Sequence, residues 1–204
     1  MSFLSRSSCL LLLQMVFLIS CLAATDDLEA RFLGNQKKIK TLQADFQQTI
    51  LFPGMRSPVV SLGRFYYQAP DNIRINYTSP AGDYFLLSGD LFETRRNRKP
   101  PVVQDSKHPS AGALTALRKV LLGTPPGGEF QKTVERSGDE FTGTLQPLVP
   151  KPSLPRKIVN RVDARSLELL GMEISLPQGG TMKFEFQNID INQRIGADVF
   201  SAGD

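Results

Sequence analysis

The chain has 204 residues, of which 41% are hydrophobic and 22% charged, and carries a formal charge of +4. That balance belongs to a globular chain and excludes global disorder. The mild basicity comes without an aromatic-plus-basic platform, so nucleic acid is not an expected partner.

Arg6 precedes the run Leu10 to Ile19, which is apolar apart from Gln14. The run is too short to span a bilayer and fits the apolar region of a signal peptide. Residues 1–24 are therefore expected to be a signal peptide, and residues 25–204 one soluble, exported domain. Two processing routes stay open. Cys21-Leu22-Ala23 suits an ordinary signal peptidase and a start near Ala24. Leu18-Ile19-Ser20-Cys21 also looks like a lipobox, in which Cys21 is lipidated and becomes the first residue. Cys9 and Cys21 are the two cysteines, so the folded domain is expected to hold together without a disulfide.

Asp26 to Lys40 reads as a helix. Asp26 and Glu29 have capping-box spacing, Leu28, Phe32 and Ile39 share a face, and Lys37, Lys38 and Lys40 suit the dipole of the last turn. From Leu42 the period changes to two, with Ala44, Phe46, Gln48 and Ile50 alternating. After a turn at Phe52-Pro53-Gly54, Leu62 to Gln68 places Phe65 and Tyr67 opposite Arg64 and Gln68. Beyond Pro70-Asp71-Asn72, Ile73, Ile75 and Tyr77 alternate with Arg74, Asn76 and Thr78. Pro80-Ala81-Gly82 turns into a short strand, Tyr84 to Leu87, and Ser88-Gly89-Asp90 into Leu91 to Arg95. Short strands joined by close turns predict an antiparallel meander.

Pro100 to Pro109 reads as a polar loop. Ser110 is placed to cap a helix running to Leu122, with Leu114, Leu117 and Leu121 on one face and Gly123 ending it. Thr124 to Gly128 is a linker. Strands resume at Phe141 to Leu145, Lys157 to Val162, Leu167 to Leu176 and Thr181 to Gln187. Met172, Ile174 and Leu176 share a parity, as do Met182, Phe184 and Phe186. Gly179-Gly180 reads as the turn between these last two strands.

Catalytic chemistry has no visible constellation. His108, the one histidine, lies in the polar loop. No G-x-S-x-G elbow, phosphate-binding glycine loop or thiol-bearing metal site is present. The expectation is no enzyme, no cofactor and no metal. Asn76-Tyr77-Thr78 fits a glycosylation sequon but lies within a strand. The run Arg95-Arg96-Asn97-Arg98-Lys99 is either a solvated loop or a contact for anionic lipid or an acidic partner. The apolar sheet face is either an ordinary core or a cavity for an acyl chain.

Several blocks carry a resemblance. Leu42-Gln43-Ala44-Asp45-Phe46-Gln47-Gln48 is followed at family-like spacing by Gly63-Arg64-Phe65-Tyr66-Tyr67. Pro70 through Tyr77, Ser79-Pro80 and Leu87-Ser88-Gly89 come next, then the Leu-rich stretch Ala113 to Gly123. Leu145-Gln146-Pro147 and Phe186-Gln187-Asn188 through Ile195 to Phe200 complete the series. In this order they resemble the LolA family of periplasmic carriers of outer-membrane lipoproteins.

The resemblance implies a mainly β, α+β fold: an open, highly curved antiparallel sheet, an unclosed half-barrel, with helices forming a lid over its concave face. Carried over by position, Phe65, Tyr67, Ile73, Ile75 and Tyr77 face the lipid cavity. Tyr84, Leu86, Met172, Ile174, Met182, Phe184 and Phe186 are assigned there too, with Leu117 and Leu121 on the lid. The implied partners are lipidated outer-membrane proteins or other acyl lipids, an inner-membrane lipoprotein-releasing transporter and an outer-membrane acceptor, for a monomer in the periplasm. The alternatives are a lipid-anchored LolB-like acceptor or sensor facing the periplasm, or a paralogue carrying another hydrophobic molecule. Two positions depart from the pattern. Ala69 stands where the family often has a basic residue that helps to hold the lid, and Phe92 stands where Trp is usual. Ile75→Glu is expected to abolish cargo binding and leave the fold intact.

Overall fold

The computed structural model describes residues 27–97, 99–107, 111–124, 128–152 and 154–201. Residues 27–36 form helix α1. A meander follows: β1 (Thr41–Leu51), β2 (Val59–Gln68), β3 (Asn72–Ser79), β4 (Ala81–Ser88), β5 (Leu91–Arg95) and β6 (Val102–Asp105). Helix α2 (Gly112–Leu121) leads to β7 (Phe130–Ser137), β8 (Glu140–Pro147), β9 (Lys157–Asp163), β10 (Leu169–Ser175) and β11 (Thr181–Ile191), and a short 3-10 turn spans Ala197–Phe200.

All eleven strands make one antiparallel sheet in the order β6-β5-β4-β3-β2-β1-β11-β10-β9-β8-β7. β6 and β7 are its two edges, so the sheet stays open. β1 is central: the first and last strands pair through Phe46↔Phe186 and Gln48↔Phe184, and β1 pairs β2 through Ala44↔Phe65 and Leu42↔Tyr67. The period-2 alternation of β1 and β2 is what a half-buried sheet demands, since a one-residue slip would expose every apolar side chain. Gly63 faces Phe46, and a methyl there would meet the Phe46 ring and the Asn76 carbonyl oxygen. At the β10–β11 hairpin the Leu176 amide donates to the Gly180 carbonyl (3.0 Å), and Gly179 and Gly180 have φ of 93° and 89°. Only glycine adopts such φ values readily.

Several elements differ from the sequence expectation, among them β11, which runs on to Ile191, and β10, which spans Leu169–Ser175. α1 stops at Gln36, because the Lys38 and Ile39 amides donate to Asn35 and Gln36 carbonyls at 2.9 and 3.0 Å and turn the chain into β1. Lys37, Lys38 and Lys40 therefore follow the helix, although Ile39 still packs beside Leu28 and Phe32. β2 starts at Val59. β6 lies inside the expected polar loop, and β7 was not anticipated. Both are edge strands with solvated faces and carry no clean alternation. α2 ends as expected at Gly123, whose φ is 59° and whose amide donates to the Val120 carbonyl (3.0 Å). Its N-cap is Ala111, with no side-chain capping bond; Ser110 and His108 lie outside the described residues, as do residues 1–26.

Candidate functional site

The sheet face toward the helices is a largely aromatic and aliphatic surface that also holds the buried polar side chains of Gln48 and Asn160. Phe65, Tyr67, Ile73, Ile75 and Tyr77 lie on it, and all five are buried. Across β1 it continues through Phe184 and Phe186 to Met172 and Ile174, with Met182 half-buried beside them. The rings meet edge-on or tilted: Phe46 and Tyr77 at 5.5 Å, Phe65 and Phe186 at 5.4 Å, Phe46 and Phe184 at 6.0 Å. These are the separations that aromatic quadrupoles favour.

Tyr84 and Leu86 are not on this face. The β3–β4 register pairs Ile75 with Phe85 and Ile73 with Leu87, which puts Tyr84 opposite Asn76 and Leu86 opposite Arg74. Phe85 accordingly packs against Tyr77 at 6.0 Å and stacks on Phe92 at 5.9 Å. The run Tyr84-Phe85-Leu86-Leu87 is apolar at both parities, so the sequence carries no parity signal there. Tyr84 and Leu86 instead belong to a buried cluster on the convex side. There the Tyr84 hydroxyl donates to Glu93, and the Arg74 guanidinium lies 4.5 Å over the Tyr84 ring. Arg74 also donates to the Ser201 carbonyl at 2.8 Å, so the C-terminal segment covers this side.

The concave face is covered by the two helices. Leu28 and Phe32 of α1 and Leu114, Leu117, Val120 and Leu121 of α2 are buried in the same cluster as the sheet residues. Phe32 meets Phe141 of β8 edge-on at 5.9 Å. The end of α2 abuts the end of α1, for a methyl on Gly123 would touch the Leu33 carbonyl. What remains open between α1, the end of α2 and β7–β9 is a cavity of about 50 Å³, lined by Phe32, Val120, Val134, Phe141 and Leu145 among others.

Polar groups mark where this cover is held. Arg118 of α2 donates to the Gly89 carbonyl in the β4–β5 turn (3.0 Å) and lies 3.9 Å from Asp71 in the β2–β3 turn. Ala69, next to that turn, packs against the core and donates its amide to the Lys40 carbonyl (2.8 Å). The tether to this corner thus rises from the helix and not from position 69. Glu29 of α1 pairs with Lys132 of β7 at 2.7 Å. Inside, the Tyr77 hydroxyl donates to Gln48 Oε1 (2.8 Å), and burial first of all pushes the Tyr77 pKa up to about 12. The Tyr67 hydroxyl is buried without a hydrogen-bond partner, and burial, then the Asp71 charge, raises its pKa. No group of three or more His, Cys, Asp or Glu residues able to hold a metal occurs among the described residues. No helix among them is long and apolar enough to cross a membrane.

Sequence reasoning left out the β1 contribution of Leu42, Ala44 and Phe46, though their alternation was visible. It also left out Phe92, Ile158, Val162 and Phe141, which complete the same face. Arg118 was missed because a lone cation on an amphipathic helix gives no sequence sign of its partner.

Comparison with known proteins adds three findings. The family model described as "Outer membrane lipoprotein carrier protein LolA" matches residues 37–202. An outer-membrane lipoprotein carrier protein of Methylibium petroleiphilum is 25% identical over 169 residues, which is 82% of this chain and 80% of that protein. Among solved structures, MucB superposes with a TM-score of 0.50 at 10% identity, over 89% of this chain and 63% of MucB. A LolA superfamily protein from Nitrosomonas europaea gives 0.44 at 10% identity, over 84% and 96%.

Proposed function

The chain belongs to the LolA family of outer membrane lipoprotein carrier proteins, and from that premise we propose that it is a periplasmic, non-catalytic carrier of acyl chains. In this reading the concave face holds the acyl chains of lipidated proteins. α1 and α2 are displaced as cargo enters. An inner-membrane transporter loads the carrier and an outer-membrane acceptor unloads it.

One observation supports this above the others. A largely apolar sheet face is covered by two short helices, and among the described residues the side chain of Arg118 ties α2 to the strand turns. Helices held to a sheet by side-chain packing can move as units. Aromatic and aliphatic walls suit cargo of imprecise shape, because apolar contact needs no fixed geometry. Cargo of this kind needs a carrier, since each methylene hidden from water is worth about 0.8 kcal/mol.

The residues proposed to line the cargo site are Phe65, Tyr67, Ile73, Ile75, Tyr77, Met172, Ile174, Met182, Phe184 and Phe186, with Leu117 and Leu121 on the lid. The test is titration of the purified chain with a fluorescent fatty-acyl probe, together with mass spectrometry of lipids and lipoproteins that co-purify. Saturable binding competed by lipoprotein is expected, and absence of acyl binding overturns the reading. Mass spectrometry of the mature N-terminus decides the processing route: a start near Ala24 fits the soluble carrier, and a diacyl mass on Cys21 overturns it.

A further inference from the structure

In a meander alternate connections emerge at alternate ends of the sheet. The β1–β2, β3–β4, β5–β6, β8–β9 and β10–β11 connections share one end, which we call the rim. Three of them touch. A methyl on Gly179 of the β10–β11 turn would lie 3.0 Å from Pro53 of the β1–β2 turn. On the other side a cleft of about 400 Å³ runs between the β8–β9 and β10–β11 connections, lined by Pro150, Pro155, Pro177, Lys151 and Arg156 among others.

The rim gathers the exposed apolar side chains. Leu51 and Met55 are each 41% exposed in or beside the β1–β2 connection, and Leu148 and Val149 are 60% and 66% exposed just past β8. The exposed valines of β2 and β6 occupy the first two residues of those strands, at the same end, with Leu62 next along β2. No large apolar side chain of comparable exposure stands at the opposite end among the described residues.

The rim also gathers positive charge. Arg56, Arg96, Lys99, Lys151 and Arg156 are exposed in its connections. Lys151 pairs with Glu129 at 3.6 Å and Arg96 with Asp83 at 4.0 Å. Among the described residues, no carboxylate pairs with Arg56, Lys99 or Arg156. At the other end Asp71, Asp90, Asp139 and Glu168 are mixed among the cations. α1 enters from the rim side, since Glu29 near its start meets Lys132, and Lys132 sits across from Leu145 near the end of β8.

Apolar side chains standing in water among cations, of which Arg56, Lys99 and Arg156 pair with no carboxylate among the described residues, suit lipid headgroups above an acyl interior. We propose that the rim seats on a bilayer containing anionic phospholipid, with Leu148, Val149, Leu51 and Met55 entering the interface and Arg56, Lys99, Lys151 and Arg156 meeting phosphates. The prolines of the β8–β9 connection stiffen it, so little conformational freedom is lost on docking. This surface is distinct from the concave face and does not depend on what that face carries.

The test is flotation of the full chain, its mass checked for the absence of an acyl group, with vesicles of phosphatidylcholine alone or mixed with phosphatidylglycerol. Flotation with the anionic vesicles, weakened by salt, is expected. Each cation removed lowers affinity about fivefold, so combined Arg56→Gln, Lys151→Gln and Arg156→Gln lowers it roughly a hundredfold. Leu148→Ser with Val149→Ser weakens the binding that persists at high salt. Lys37→Gln with Lys38→Gln, at the other end, leaves flotation unchanged, and the circular dichroism of every variant matches the parent. The proposal is overturned by absent flotation, by equal flotation with neutral vesicles, or by equal loss from the Lys37 and Lys38 changes. Lipid-free self-association lost in the rim variants assigns the surface to a second copy and overturns it too. Acyl-probe titration of the rim variants separates the two readings, because their probe affinity is expected to stay at the parent value.

Discussion

Arg118→Ala tests whether α2 competes with cargo. The side chain is 18% exposed and donates to the Gly89 carbonyl at 3.0 Å. A hydrogen bond from a charged, largely buried donor contributes about 2 kcal/mol. The Asp71 contact at 3.9 Å adds little, because Asp71 is half exposed and solvent screens the pair. If closed α2 and bound acyl chain exclude each other, weakening the closed state by about 2 kcal/mol raises the apparent acyl affinity roughly thirtyfold. The same change lowers the thermal midpoint by about 4–8 °C for a chain of this size. Fluorescent fatty-acyl titration and thermal melting of one preparation read both quantities. The signature is opposite signs: tighter binding with lower stability. Unchanged or weaker binding together with the lower midpoint refutes the reasoning and makes α2 a fixed part of the core.

Ile75→Ala and Leu86→Ala should each cost about 2–5 kcal/mol in urea unfolding, but only Ile75→Ala should alter probe affinity, because Leu86 lies behind the sheet. Ile75→Glu, expected from the sequence to spare the fold, should instead abolish it: Ile75 is 1% exposed and an unpaired carboxylate there has no water; a native circular dichroism spectrum would contradict this. Gly63→Ala should lower stability by about 3 kcal/mol, and an unchanged urea midpoint would contradict the close approach of Phe46 and Asn76. Tyr77 titrates at about 12 in the folded chain, above the ordinary value of 10.0. Its contribution is therefore fully present below pH 10 and lost as pH rises from 10 toward 12, because the unfolded chain ionises first. Tyr77→Phe should flatten that part of the stability profile and, by leaving Gln48 unpartnered, lower stability at neutral pH; an unchanged alkaline slope counts against it.

The meander was legible where one face is buried and the other wet. Leu42, Ala44, Phe46 and Gln48 alternate because solvent enforces the parity, and β1, β2 and β3 emerged with the right faces. The parity of β4 was illegible for a physical reason. Its second face is buried as well, by Arg74, Glu93 and the C-terminal segment, so both parities are apolar and the register rests on a one-residue connection at Pro80 and an irregularity between Asn76 and Thr78. β6 and β7 were illegible for the opposite reason, since an edge strand buries little. The helices were visible as amphipathic stretches. What ties α2 down was not, because the Arg118 partners are a carbonyl and a carboxylate 29 and 47 residues earlier in the chain.

Magnitudes explain how such a face could bind and still release. Leu114, Leu117, Val120 and Leu121 of α2 are buried, and hiding each contributes about 1.5–3 kcal/mol, together about 6–12 kcal/mol. An acyl chain of about sixteen carbons gains about 12 kcal/mol on leaving water. The sums differ by about 0–6 kcal/mol, so displacing α2 offsets about half or more of what the cargo gains on the concave face. A wide empty cavity would bind cargo with the full transfer energy and hold it. A face filled by its own helices binds with the difference alone. On the proposed reading, the cavity of about 50 Å³ beside α1 and the end of α2 fits a closed state. Enlarging it tilts the balance toward retention: Leu117→Ala with Leu121→Ala should tighten acyl binding and slow hand-over to acceptor membranes, and faster hand-over from that variant would sink the competition between lid and cargo.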